Sequence, residues 1–422
     1  MIIPYVGGRQ QSFLAHHPYK KTRLLKKNMQ KKFEVTCTIP RTGRTFENFL
    51  IYLKKLGVNE TEIDKILEIS KKSKSASHVD FHKASKFLQY AIQQVPCFGL
   101  FVDRKRSKRP YRVGFLGNEW LIKNICVRIE GEEPHNGSSL IRLDEIDCAV
   151  VGLDELLTMT QYYLRNPTLV TKWGMYNYNI DKATDIRIAG SAQLTRYNSV
   201  LGQDIQDMVG FFLISKPKPS KQGSKKRSEK DPSDFLTHLS ENGQRVFVKG
   251  RYAGVVSTTY PNLKITAVED VEDAVMQAEA GSVGLEIVQT GNTLRRKGLI
   301  LHGAPLFLSE SLYVVDYHRY LKNTSLQKFI QTLNPIGYFD EERIKQFAFW
   351  YIALEKNLEE SWINPPSITD LFCEPEDVEN GLRPYRLQTR YWKPHDFYKQ
   401  NEAMAQVEEA KKKLRAYYEA YK

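Results

Sequence analysis

Apolar and polar positions along this chain switch between two periods. Phe33 to Ile39 (Phe-Glu-Val-Thr-Cys-Thr-Ile) alternates every second residue, which predicts a strand. After the turn Pro40-Arg41-Thr42-Gly43-Arg44, hydrophobes recur at Phe46, Phe49, Leu50, Leu53 and Leu56. That is helical spacing, so Thr45 is expected to cap a helix that Gly57 stops. Further strands are predicted at Tyr111 to Leu116, Cys148 to Val151, Ile186 to Ala189, Gly210 to Ile214, Arg245 to Val248, Leu263 to Val268, Val283 to Val288 and Leu306 to Val315. Helices are predicted from Asp154 onward, at Val271 to Ala280, at Leu321 to Leu333 and at Asp340 to Asn357. Phe347, Phe349, Trp350 and Tyr351 in the last of these read as core. Strands alternating with helices give an α/β class, whose ligands sit beyond the carboxyl ends of the strands.

Several stretches fall outside this pattern. Residues 1–33 contain no Asp or Glu and read either as a mitochondrial transit peptide or as a basic RNA-binding arm. Residues 58–110 are Lys/Ser-rich, helical in pattern and without visible chemistry. The run 215–232 (Lys216-Pro-Lys-Pro, then Lys225-Lys-Arg) cannot bury a core and reads as a disordered basic loop, solvated or in contact with RNA. Residues 383–399 interleave cations with aromatics. They suit stacking on unpaired bases, and equally a tail strapped over its own domain. Residues 401–422 read as a charged, mostly solvated helix.

Composition narrows the class. With 422 residues there is room for two or three domains, and no apolar run approaches the ~20 residues of a membrane span. The five cysteines are scattered without a C-x-x-C, which argues against structural zinc or a disulfide framework. A net charge of +13 points to surface lysines or to a polyanionic partner such as RNA or a ribosome.

The stretch with the most chemistry is Glu286-Ile-Val-Gln-Thr-Gly-Asn-Thr-Leu294, followed by Arg295-Arg-Lys-Gly-Leu299. Gly291 lets the backbone approach a ligand, Thr290 and Thr293 offer hydroxyls, and helix-start N–H groups complete an anion nest. An ordinary Gly-Asn turn is the structural alternative. This stretch resembles the phosphoribosyl-pyrophosphate loop of the ATP phosphoribosyltransferases of histidine biosynthesis, in which an acid and a few apolar residues precede T-G-x-T-L and a Gly-Leu. Three more segments resemble that family in the same order. They are Pro40-Arg41-Thr42-Gly43-Arg44, the Asp147-to-Asp154 run with Gly152, and Val255 to Leu263. Glu286 stands where the family has Asp, and Glu279-Ala-Gly-Ser282 where it has a Gly-Leu-Ala-Asp-like run.

The resemblance covers Phe33 to Asp316 and implies two α/β lobes of the periplasmic-binding-protein (type II) kind with a helical, irregular C-terminal extension. The implied boundaries are 1–33 for the basic segment, 34–142 for the first lobe with an insertion and 143–290 for the second lobe. Residues 291–335 would return to the first lobe, and 336–422, beyond the resemblance, read as a helical and basic/aromatic C-terminal extension. It implies that Thr290, Gly291, Asn292 and Thr293 hold a 5′-phosphate, that Glu286 holds ribose hydroxyls, and that Gly152 and Asp154 face the ligand cleft. Arg41 and Arg44 would neutralise departing pyrophosphate with Mg2+ bridging, and ATP would be the acceptor in a homo-oligomeric transferase. The competing reading is a non-catalytic relative recruited as a mitochondrial RNA- or ribosome-associated protein, since fold does not fix function.

Overall fold

Three parallel strands in the order second, first, third occur twice in this protein, and each set organises one α/β unit. The computed structural model describes residues 33–76, 97–102, 111–133, 145–156, 186–217, 238–333, 341–358 and 397–422, except 193 and 261, plus isolated positions (12, 13, 86, 90, 137, 141, 361 and 363). Most of the basic N-terminal stretch, the loop 218–232 and the cation-aromatic run to residue 396 lie outside the described residues. The chain divides into residues 1–151 with 318–334 (unit 1) and 152–317 with 335–422 (unit 2).

Unit 1 contains β1 (Ser12–Phe13), β2 (Val35–Pro40), β3 (Phe98–Val102), β4 (Tyr111–Phe115), β5 (Gly117–Ile122), β6 (Ile125–Glu132) and β7 (Cys148–Gly152). Its main sheet runs β5-β6-β2-β7. Strands β6 and β7 are both parallel to β2, and β5 closes a hairpin on β6. Val35, Cys37, Thr38 and Ile39 are all buried, as a central strand covered on both faces requires. Helix α1 (Arg44–Lys55) buries the stripe Phe46, Phe49, Leu50 and Leu53. It starts one residue before Thr45, with Gly43 (φ +99°) at its N-cap, and Gly57 (φ +77°) turns the chain out of it. Helix α2 (Glu60–Ala76) follows. The span 58–110 is not wholly helical. Phe-Gly-Leu-Phe-Val is too short an apolar run for a helix, and as β3 it pairs with β4.

Unit 2 contains β8 (Ile186–Ser191), β9 (Thr195–Asn198), β10 (Gln203–Gln206), β11 (Met208–Ser215), β12 (Arg245–Lys249), β13 (Lys264–Val268), β14 (Val283–Val288) and β15 (Ile300–Asp316). Its helices α3 (Ala253–Thr259), α4 (Val271–Gln277) and α5 (Asn292–Lys297) lie between these strands. Strands β12 and β13, and β12 and β14, are parallel, and β11 is antiparallel to both β14 and β15. The order β13-β12-β14-β11-β15 therefore repeats the second-first-third wiring and adds an antiparallel neighbour. This is the type II periplasmic-binding-protein plan anticipated from the motif order. Strand β15 is longer than the predicted Leu306 to Val315. Its first part pairs with β11 and its last part with β8. A register shift there takes in Gly303 (φ +66°) and accommodates Pro305 inside a strand.

The return to unit 1 is made by α6 (Tyr317–Lys322) and α7 (Thr324–Thr332). Asn323 caps α7, its carboxamide oxygen accepting from Ser325 and Leu326 N–H at 3.1 and 3.0 Å. Arg319 pairs with Asp147 at 2.8 Å, tying this segment beside β7. Cys148 on β7 is the register partner of Cys37, and β15 belongs to the β11 ladder.

Residues 341–357 form α8 and 397–421 form α9. Helix α8 is core, with Phe347, Trp350, Tyr351 and Leu354 buried. Arg343 on α8 pairs with Glu310 on β15 at 0% and 2% side-chain exposure, and Ser191 and Gln206 donate to the same carboxylate at 2.8 and 3.4 Å. The described side chains of helix α9 are mostly exposed, as its charge suggests, apart from one stripe. Ala410, Leu414 and Tyr418, one turn apart, are buried, and α9 packs on α8. Tyr418 donates to Glu355, and Tyr421 meets Phe349 edge-on at 5.2 Å. Leu414→Ala is therefore expected to destabilise the protein by about 2–5 kcal/mol in urea unfolding. A freely solvated helix would lose less than about 0.5 kcal/mol.

Candidate functional site

Every sequence-predicted site residue lies at or near the carboxyl end of a parallel strand. Arg41 and Arg44 follow β2, Gly152 ends β7, and Asp154 comes two residues later. Glu286 is two residues short of the end of β14, and Thr290 to Thr293 follow it. Arg41 and Arg44 belong to unit 1, the others to unit 2.

In unit 1, the Arg41 backbone is fixed first. Its N–H donates to Glu132 O at 2.8 Å and its carbonyl accepts from Phe115 N–H at 2.9 Å. The guanidinium then pairs with Glu132 at 2.7 Å and Glu133 at 3.7 Å, so two carboxylates already balance the cation. Gly131 makes this possible, because an added Cβ there would lie 2.0 Å from Phe115 O. Arg44 is exposed on the first turn of α1.

In unit 2, Asp154 is buried and both of its oxygens are engaged. Ser309 Oγ donates to Oδ1 at 2.5 Å and in turn accepts the Asp154 N–H at 3.0 Å. Tyr252 donates to Oδ2 at 2.8 Å. Burial, together with the Asp154 carboxylate, holds the Tyr252 phenol well above its usual range, so it stays a donor. A Cβ at Gly152 would come within 2.4 Å of Asp154 Oδ1, so this glycine makes room for the neighbouring carboxylate. The pair reads as an internal clamp between β15 and the turn after β12.

Beside the clamp, Glu155 pairs with Arg251 at 2.7 Å, and the guanidinium lies over the Tyr252 ring at 4.5 Å. Burial, then the adjacent Asp154 charge, pushes the Glu155 carboxyl up to about 7, against the pull of Arg251 and Lys249. Glu286 behaves similarly. Burial raises it to about 7, while Oε1 accepts the Ile287 N–H at 2.8 Å. Lys249 acts on both carboxyls. Tyr252, Arg251, Glu155 and Lys249 were not singled out from the sequence. The adjacent acids Asp154 and Glu155 were the available signal.

Gly291 adopts the left-handed conformation the motif requires (φ +73°). Thr290 Oγ1 accepts from Asn292 N–H at 3.5 Å, and Asn292 is exposed. Helix α5 has only six residues, too few to supply much of a dipole at its start. Its cations fall in its last turn. Lys297 is already claimed by Asp273 at 2.6 Å, Glu272 at 3.2 Å and Asp270 at 3.8 Å. Arg295 donates to Asn357 at 3.1 Å. The nest and the cations that seemed to form one anion cradle are thus at opposite ends of α5. The carboxylates near α5 already hold Lys297, and among the described residues no group of three or more His, Cys, Asp or Glu side chains is arranged to hold a metal ion.

Because Glu286 ionises higher in the folded chain than the ordinary carboxyl value of 4.5, the folded state binds more protons between those values. Its contribution to stability is lost as pH rises from about 4.5 to 7. Glu286→Gln is expected to raise the unfolding midpoint at about pH 8 and to leave it nearly unchanged at about pH 4. A midpoint shift equal at both values would contradict the burial argument.

No protein-family model matches the chain. No curated protein matches it in sequence. Among solved structures, the ATP phosphoribosyl transferase (HisG:HisZ) complex from Thermotoga maritima is similar at 13% identity and a TM-score of 0.34, over 71% of this chain and 96% of that one. A TRAP periplasmic solute binding protein from Rhodobacter sphaeroides matches at 10% identity and TM-score 0.32, over 69% and 88% of the two chains. The Candida albicans CA3427 product, with the generic periplasmic binding protein fold, matches at 9% and 0.26, over 69% and 80%. At these values the likenesses give no residue of this chain a role, and the fold assignment rests on the repeated strand order.

Proposed function

We propose that this protein is a non-catalytic relative of the phosphoribosyltransferase plan, a binding protein whose partner is a polyanion of the RNA class. One observation carries the first half of the reading: Arg41 and Asp154 spend their polar atoms inside the protein, although Arg44 is exposed. Arg41 is neutralised by Glu132 and Glu133, and Asp154 is saturated by Ser309 and Tyr252. Glu286 is half-buried with its pKa raised to about 7, so it is a poor permanent acceptor for ribose hydroxyls. A transferase stabilising an oxocarbenium-like centre and a leaving pyrophosphate needs those charges free and aimed at substrate. The net charge of +13 supports the second half. The acid-free residues 1–33 favour a mitochondrial setting.

A second reading keeps phosphoribosyl pyrophosphate as ligand and ATP as acceptor, with Mg2+ arriving on the pyrophosphate. It is favoured by the left-handed Gly291 between Thr290 and Thr293 at the end of β14.

Two titrations separate the readings. With phosphoribosyl pyrophosphate and Mg2+, calorimetry is expected to show no saturable binding. Single-stranded RNA should bind with an affinity that falls about 10-fold or more between about 50 and 200 mM salt. Saturable binding of the small ligand, abolished by Thr290→Ala/Thr293→Ala, would establish the second reading instead. RNA affinity indifferent to salt would remove the polyanion half.

A further inference from the structure

The last turn of α8 sits directly on the turn that follows β14. Asn357 is buried, and its side chain reaches three groups there. Nδ2 donates to the Thr290 carbonyl and, at 2.8 Å, to Asn292 Oδ1, while Oδ1 accepts from Arg295 at 3.1 Å. Two turns before it, Trp350 Nε1 donates to the Gln289 carbonyl at 3.0 Å. Leu354 and Leu358 close over Gly291, where an added Cβ would come within 3.0 and 2.9 Å of their methyl carbons. So one helix binds two successive carbonyls, one side chain and the glycine face of a single turn, some 60 residues away in the chain.

Helix α8 is in turn held from its other side. Tyr418 of α9 donates to Glu355 and to the Ile363 carbonyl, Lys422 pairs with Glu355 at 3.1 Å, and Tyr417 donates to Glu341. Both ends of α8 are therefore bound by α9.

We propose that α8 is an intramolecular strap over the 289–292 turn, with Asn357 as its clasp and α9 as the element that holds it down. The strap fixes the turn in one conformation and engages the Thr290 carbonyl and Asn292 Oδ1, so that neither is open to a ligand. It goes beyond the binding role above and holds whichever ligand reading is right. Glu355 and Asn357 sit two residues apart on α8, so a change in α9 docking is felt at the clasp.

The test is amide hydrogen exchange of the full chain, read at residues 290–294. Asn357→Asp keeps the shape and the acceptor for Arg295 but replaces the donor to the Thr290 carbonyl with a second acceptor. It is expected to speed exchange there by about 10-fold or more while β11 and β14 stay protected. Tyr418→Phe, at the α9 side of the strap, should speed the same amides in the same direction. Unchanged exchange at 290–294 in both variants, with the sheet intact, would overturn the strap. In the unmodified protein, the amides of 290–294 and of the last turn of α8 should open with one common protection factor. Factors differing by about 10-fold or more would overturn the proposal even if neither variant folds.

Discussion

Unit 2 depends on one buried ion pair. Arg343 and Glu310 have almost no exposed side-chain surface, and removing two charges from water costs several kcal/mol before their attraction is counted. The pair persists because Ser191 and Gln206 donate to the same carboxylate. Arg343 Nε adds a bond at 3.2 Å, and its guanidinium lies 4.7 Å from the Phe347 ring centre. This arrangement fixes α8 against β15, β8 and β10 in a single register. Everything that α8 delivers, from Trp350 to Asn357, is positioned by it. Helix α8, whose aromatic residues read as core from the sequence, is part of the core of unit 2.

The same economy runs through the candidate site. The second-first-third strand order places several polar turns at strand ends, where ligands of this plan would be met. In both units those turns are stitched to the protein instead. Arg41 is held by the two glutamates that end β6, and Asp154 by a serine on β15 and a tyrosine after β12. Lys297 is held by acids on α4 and the turn before it. Polar residues at ligand-facing positions of a fold can also serve the scaffold, and here Arg41, Asp154 and Lys297 each have partners within the protein.

Much of the architecture was legible because it is local. Apolar runs such as Val283 to Val288 and the α1 stripe of Phe46, Phe49, Leu50 and Leu53 carry their own signal. Motif order then placed the two units in sequence. What stayed hidden is long-range. Arg41 and Glu132 are 91 positions apart, and Asn357 and Asn292 are 65 apart, so no window contains both partners. The α9 stripe was hidden differently. Ala410, Leu414 and Tyr418 form a narrow line inside a Lys/Glu-rich helix, and only a docked neighbour reveals which face is covered. In β3 the short apolar run Phe98 to Val102 was masked by the basic, helix-like residues around it.

The most direct test of this account is a double-mutant cycle on the buried pair, using Arg343→Met, Glu310→Gln and the two combined, followed by urea unfolding. Each single change should cost about 3–5 kcal/mol, because it leaves a buried partner uncompensated. The double variant should lose much less than the sum, giving a coupling energy well above about 1 kcal/mol. Single variants as stable as the parent, with no coupling, would mean that α8 is a detachable appendage and that unit 2 does not rest on it.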